Sequence, residues 1–405
     1  MQSKLVWGVF FVSLLVSGLS FAMMHDTRAL EADPFSQTEP IAPKLSGLGD
    51  YTFLVTTSIA ESQYFFNQGL RLTYAFNHSE ALRAFKEAVR LDPANAMAYW
   101  GWALVLGPNI NLPMQPYVGK QASEAIQKAS ELKSLVSKRE AAFIDALARR
   151  YSDDPSVTRP TLDRDYAEAM KGIVTKYPAD LDALTLYGAA LMNLSPWDYW
   201  HGDMSPKSNT SKILDAFESV LERDPRHPGA IHYYIHTVEL AQPKKAESYA
   251  DTLLDLMPGA GHMVHMPGHI YLRVGEYEKA ILSNERSQIV DDQFAEIWGD
   301  TNFPLIGTYP LSHKIHKPHA LDFVRYANML QGNYEDASEA AYRNSGQGMG
   351  ALRGSNKNTA HAWMMDKVFG KWDKIHAANA ENKELADSPY LKGMWAYVMG
   401  SAHAA

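Results

Sequence analysis

Residues 66–93 read FNQGLRLTYAFNHSEALRAFKEAVRLDP. Apolar residues recur in it at intervals of three and four, which is the pattern of a helix with one buried face. The break around Asn77 and His78 divides the stretch into two such helices. Gly69 lies in the first, Ala81, Phe85 and Ala88 lie along the second, and Pro93 ends it. One helix pair cannot bury its own apolar stripe, so the stretch predicts further pairs stacked beside it.

Counting forward in steps of about 34 residues finds them. A second unit starts at Ala96, with Tyr99 and Ala103 in register; Pro178 and Pro225 close later ones, with Gly188 between them. Further units open at Pro228, at Gly261 (with Gly268, Tyr271, Gly275 and Ala280) and at Pro318 (with Gly332 and Ala337). A weaker one runs from Asn356 to about Glu381 around Gly370. This spacing of small and aromatic residues resembles the tetratricopeptide repeat (TPR) family. The resemblance implies an all-α fold, a TPR-type α-solenoid in which helix pairs wind into a right-handed superhelix with a concave groove. No β-alternating run competes with that reading.

Composition narrows the partners. The 405 residues are 46% hydrophobic, enough for a large core, and carry a net charge of −8 without a long Lys/Arg run, so nucleic acid is not an expected partner. There is no cysteine, which excludes disulfides, thiolate metal ligands and a cysteine nucleophile. Residues 1–22 place Lys4 ahead of an apolar run that ends in small residues, the pattern of an export signal. Residues 23–43 read as a flexible leader and 44–405 as the repeat domain. The expected location is outside the cytoplasm, periplasmic if the source is bacterial. The alternative is an inner-membrane anchor formed by residues 5–22, the one way a membrane enters the reading.

Three segments, 107–120, 195–208 and 292–316, are too long and too rich in Pro, Gly and aromatic residues for repeat turns. Trp197, Trp200, Trp298, Phe303 and Tyr309 argue that they pack, and we expect them to close over the groove as lids.

The histidines supply the chemistry. In the unit opening at Pro228, His232 and His236 are the fifth and ninth residues of the first helix and Glu239 the twelfth. In the next unit His262, His265 and His269 are second, fifth and ninth, and in the unit opening at Pro318, His319 and Asp322 are second and fifth. These positions share one helix face, the one that lines the groove in arrays resembling TPR proteins. Two HxxxH pairs in consecutive repeats are suited to a first-row transition metal. We therefore take His232, His236, His265, His269 and His319 as candidate metal ligands for Zn, Cu or Fe. Glu239 and Asp322 are candidate ligands or general bases, and His262, Asn109, Asn111 and Tyr309 candidate substrate contacts. His313 and His316 fall in the insertion and stay outside this set. His78 and Glu80 read as a solvated turn.

The same imidazoles could instead hydrogen-bond a polar ligand or pack as neutral side chains. The strings YAFNH, LGPNINLPM, HPGAIHYYIH and GAGHMVHMPGHIY resemble, over residues 60–345, a narrower group of exported bacterial TPR-containing proteins. That resemblance implies that these histidines act together, and that Asp322 stands where such proteins more often carry a second histidine. Two functions follow: a metal-dependent hydrolase or oxygenase acting on a small molecule, or a non-catalytic scaffold holding a peptide or protein in the groove.

Overall fold

The computed structural model describes residues 38–114, 118–299, 316–345, 356–378 and 388–405. The expected signal, residues 23–37 of the leader, and Phe303, Tyr309 and His313 of the third insertion lie outside them. Among the described residues there is no β-strand, only two isolated bridges, and no helix long and apolar enough to cross a membrane.

Helices follow one another in pairs, as a TPR-type solenoid requires. They are α1 (Ala60–Tyr74) and α2 (His78–Leu91), α3 (Ala96–Leu106) and α4 (Gly119–Glu131), α5 (Lys138–Ala148) and α6 (Arg159–Lys176), α7 (Leu181–Met192) and α8 (Thr210–Leu221), and α9 (Pro228–Val238) and α10 (Glu247–Leu256). Next come α11 (Gly261–His265) and α12 (Pro267–Val274) with α13 (Tyr277–Gly299), α14 (Lys317–Gln331) with α15 (Tyr334–Asn344), α16 (Asn356–Val368) with α17 (Trp372–Ala378), and a last helix α18 (Pro389–Ala404). Each helix packs on the next. The starts are set by side chains that accept an orphan backbone N–H: Asn77, Asn95, Asp180 and Asn333 each cap the helix that follows. Phe85 of α2 shows why the repeat needs small residues. Its ring lies against Gly69 and Gly101, where an added Cβ would come within 2.8 Å and 2.3 Å of ring carbons.

The unit at Gly261 begins with a broken first helix. Pro267 has no N–H to continue the ladder, so α11 and α12 meet at Met266, whose backbone stays helical and keeps the two nearly in line. In the pairs α12–α13, α14–α15 and α16–α17 the turn is made by a left-handed glycine, Gly275 (φ 88), Gly332 (φ 79) or Gly370 (φ 65), five residues before an apolar position of the second helix. In the first pair that place is taken by Phe76, at φ 55.

Residues 38–57 are where the structure differs most from expectation. Ile41 and Ala42, assigned to the flexible leader, are buried, and the Ile41 N–H donates to Glu87 Oε2 at 2.9 Å. The strap then crosses several repeats. Leu45 N–H bonds Gln68, the Gly47 carbonyl accepts from Gly259 N–H, the Tyr51 hydroxyl reaches Asp182 and His227, and Thr56 N–H bonds Glu140. Its buried apolar residues, Ile41, Ala42, Leu45, Leu48 and Phe53, follow neither the helical nor the strand period, so this clamp escapes a search for periodicity. Beneath it, Glu80 is buried beside Arg83 rather than solvated.

Two insertions are built into the array. Residues 195–208 fold onto α9: Tyr199 and Trp200 are buried, and the Trp200 indole N–H donates to the Thr237 carbonyl at 2.7 Å. Residues 292–299, expected as irregular chain, are the last turns of α13.

Candidate metal centre

α9 is buried along its whole length, and its His232 and His236 stand one turn apart with ring centres 4.9 Å from each other. Across from them α11 and α12 present His262, His265 and His269, and α14 brings His319 with His316 at its N-cap. The potential ligand nitrogens form two triads, His232/His236/His262 and His265/His269/His319, each with its atoms within 4.8 Å of one another. Tetrahedral metal–imidazole geometry needs nitrogens about 3.3 Å apart, so the widest pairs would close by up to about 1.5 Å, a change within reach of side-chain rotation.

What these rings can bind follows from where their outer nitrogens are committed. His232 Nδ1 lies 2.5 Å from the Tyr74 carbonyl oxygen, an acceptor only, so it carries the proton. His265 Nδ1 lies 2.6 Å from Asn284 Oδ1, and the orientation of that amide is fixed because its nitrogen donates to the Ala280 carbonyl at 2.8 Å. The Glu239 carboxylate accepts from His269 Nδ1 at 2.7 Å and from His236 Nδ1 at 3.4 Å. With each Nδ1 committed to an acceptor, these rings turn Nε2 inward. This is the outer hydrogen bonding by which metal-ligating histidines are oriented.

The inward face is then short of positive charge. His265 Nε2 and His269 Nε2 are 2.9 Å apart, close enough to share a proton or to face one cation. His236 Nε2 and His316 Nε2 are buried with no hydrogen-bond partner among the described residues. A proton between the rings would satisfy both nitrogens, and at His265 protonation is opposed. Burial, then neighbouring imidazoles, push His232, His262 and His265 well below the usual histidine range. His319 is lowered by the same causes, although the residue as a whole is exposed. Burial pushes Glu239 up, but His269 and His236 outweigh it and keep the carboxylate ionised.

The triads are joined. Glu239 bonds one ring of each, His236 and His269. His316 stands between His262 and His265, ring centres 5.2 Å and 4.9 Å away, with its Nδ1 2.8 Å from Asp291 Oδ2. Aromatic rings form the walls. Phe76 lies 4.5 Å from His232 and is stacked at 5.8 Å on His236; Phe323 sits 4.6–5.0 Å from His265, His269 and His319. Trp197, itself left-handed at φ 63, packs edge-on at 5.0 Å against His236.

The five expected ligands all come together here. His262, expected as a substrate contact, lies in the first triad, and His316, left out of the sequence set, stands beside His262 and His265. Glu239, expected as a ligand or general base, has its carboxylate oxygens on the Nδ1 atoms of His236 and His269. Asp322 turns to α16, bonding Arg325 at 2.8 Å and His361 at 3.0 Å, with Lys357 at 3.5 Å. Asn109 caps its own turn through Asn111 N–H and approaches His78, one wall away from the triads. Tyr309 lies outside the described residues. Sequence reasoning missed Asn284, Asp291, Phe323 and Phe76; Phe76 alone had a signal, an aromatic residue at the repeat's turn-glycine position.

No protein-family profile matches the chain, and no curated protein matches it. Among solved structures, the crystal structure of the APC/C hetero-tetramer Cut9–Hcn1 is similar at a TM-score of 0.27 and 13% identity, covering 85% of this chain and 73% of that one. A likeness that loose carries no argument, and the fold rests on the helix pairs described above.

Proposed function

We propose that the protein is a metal-dependent enzyme whose paired histidine triads hold two first-row transition-metal ions inside a closed TPR-type array. The observation that carries this reading is the opposition of His265 Nε2 and His269 Nε2 at 2.9 Å, with both outer nitrogens committed to acceptors. A donor set of imidazoles without an inward carboxylate favours zinc or copper over iron. A first-row ion held by three imidazoles keeps open positions at which water or dioxygen is activated, which is the chemistry of a hydrolase or an oxygenase. Export directed by residues 1–22 belongs to the same proposal.

Elemental analysis of untagged protein purified without chelator tests it. About two equivalents of metal are expected in the wild type and about one or fewer in His265→Ala/His269→Ala, with helicity retained. A wild type that stays metal-free after dialysis against zinc and copper salts refutes the reading. The second reading, a scaffold for a peptide or protein, draws on the repeat architecture itself and on exposed apolar residues such as Leu282 and Ile289 along α13. A metal-free protein that captures a peptide in the groove supports it.

A further inference from the structure

Distance does not separate the histidine rings into two clusters. Within the triads, ring centres lie 4.7–6.1 Å apart. Across them, His236 lies 5.7 Å from His269 and His262 lies 5.9 Å from His265, so the seams between the triads are no wider than the triads themselves. Glu239 fixes the first seam, with Oε1 3.4 Å from His236 Nδ1 and Oε2 2.7 Å from His269 Nδ1. His316 spans the second, 5.2 Å from the His262 ring and 4.9 Å from the His265 ring, with its Nδ1 held 2.8 Å from Asp291 Oδ2. Two imidazole nitrogens are buried without a hydrogen-bond partner among the described residues, His236 Nε2 and His316 Nε2, and both belong to rings at these seams. His236 is 3% exposed, so water cannot readily supply the missing partner. Such orphaned nitrogens call for an occupant of the space between the triads.

We propose that the two ions form one coupled pair that shares a small bridging ligand of a few atoms with oxygen or nitrogen donors, such as hydroxide or dioxygen. The inference rests on the metal reading above. A metal–nitrogen bond of about 2.0–2.1 Å puts each ion about 3 Å from the centres of its rings. With the seams as narrow as the triads, the ions come within reach of the separation of about 3.5–4 Å at which paired metals clamp one reacting atom. Phe76 covers His232, His236 and His262, and Phe323 covers His265, His269 and His319, so the bridging ligand is confined by aromatic walls and has to be small. Glu239 and His316 are positioning residues in this arrangement, each tying a ring of one triad to a ring of the other.

The test loads chelator-stripped full-length protein with copper(II) in air and counts bound copper by elemental analysis, unpaired spins by electron paramagnetic resonance, and azide by calorimetric titration. A bridged pair is expected to bind both ions, to show a spin count far below the copper bound because the bridge couples the two spins, and to take up one azide for each pair of ions. The His265→Ala/His269→Ala protein, left with a single ion, is expected to show the full signal of that ion. Should this variant fail to fold, the spin count and azide stoichiometry of the wild type decide the matter by themselves. Protein that binds only one ion, or both ions with full and independent signals, overturns the coupled pair while leaving metal binding in place. One azide bound per ion also overturns it, even when the signal is weak, since reduction of the copper and not a bridge then accounts for the lost spins. Protein that binds no copper refutes the metal reading and the pair with it.

Discussion

Glu239→Gln separates the two triads. Its carboxylate accepts N–H bonds from a ring of each, at 2.7 Å from His269 and 3.4 Å from His236. Glutamine has the same shape but only one acceptor oxygen. The shorter bond keeps that oxygen, so His236 Nδ1 meets an NH2 group instead and must become an acceptor. Its proton then moves to Nε2, and the ring ceases to be an inward ligand. Loss of an outer hydrogen bond typically lowers metal affinity 10- to 100-fold, about 1.4–2.7 kcal/mol. That full effect is expected at the His232/His236/His262 triad, while the His265/His269/His319 triad loses only the nearby negative charge. Cobalt titration against a competing chelator, with bound metal measured by elemental analysis, should resolve one weakened site and one that moves much less. Two sites of wild-type affinity, or two equally weakened sites with normal helicity, would refute the reasoning.

Other perturbations test other parts. Phe76→Gly removes the ring that packs on His232, His236 and His262, and since the packing lost exceeds the about 1 kcal/mol of left-handed strain relieved, thermal stability should fall while bound cobalt becomes more accessible to chelator; an unchanged chelation rate counts against Phe76 as the cover of that triad. Lys86 is buried with its ammonium 4.5 Å from the Trp102 ring, and burial lowers its pKa from 10.5 to about 7. The folded state therefore holds this proton less tightly, and Lys86→Met should stabilise by on the order of 2 kcal/mol at pH 7, a gain that shrinks toward pH 10.5; a pH-independent difference in urea midpoint argues against it. Trp197 packs on His236 at 5.0 Å, so cobalt should quench tryptophan fluorescence, and Trp197→Phe should remove the largest share of that quench. Chelation should speed amide exchange in residues 261–274 by about 100-fold, the protection lost from a ligand at 100 times its Kd, and leave α1–α3 unchanged; uniform acceleration contradicts a local role for the metals.

Much of this was legible because two periodicities coincide in the sequence. The helix repeat fixes which residues face the groove, and the roughly 34-residue repeat fixes which helices are neighbours, so His232, His236, His265, His269 and His319 could be brought together without coordinates. What escaped has no period. Asn284 faces His265 from a second helix, on a side that the concave-face rule does not cover. His316 precedes the repeat and reaches the centre from the N-cap of α14, a position the helix-face count does not cover. Asp322 obeys the rule for its position, yet Arg325, Lys357 and His361 outcompete the cluster for its oxygens. The strap was missed because its order comes from long-range bonds, such as Ile41 to Glu87 and Tyr51 to Asp182.

Those long-range bonds also explain how a solenoid face becomes an interior. Stacked pairs leave the first-helix face open to water, where histidines stay solvated and metal ions exchange freely. Here Tyr74 at the end of α1 crosses to α7 and α9: its hydroxyl donates to Asp182 Oδ1 at 2.9 Å and its carbonyl accepts from His232 Nδ1. Asp182 also takes the Tyr51 hydroxyl of the strap and lies beside His227, the cap of α9. Gly229 allows the approach, since a Cβ there would fall 2.5 Å from the Tyr74 ring. One contact therefore joins the first repeat to α9, excludes water from His232 and sets the tautomer of that ring. The same contacts close the array and order the proposed metal site, and for that reason substitutions at Tyr74 or Gly229, neither of them a proposed ligand, bear on that site as much as on the fold.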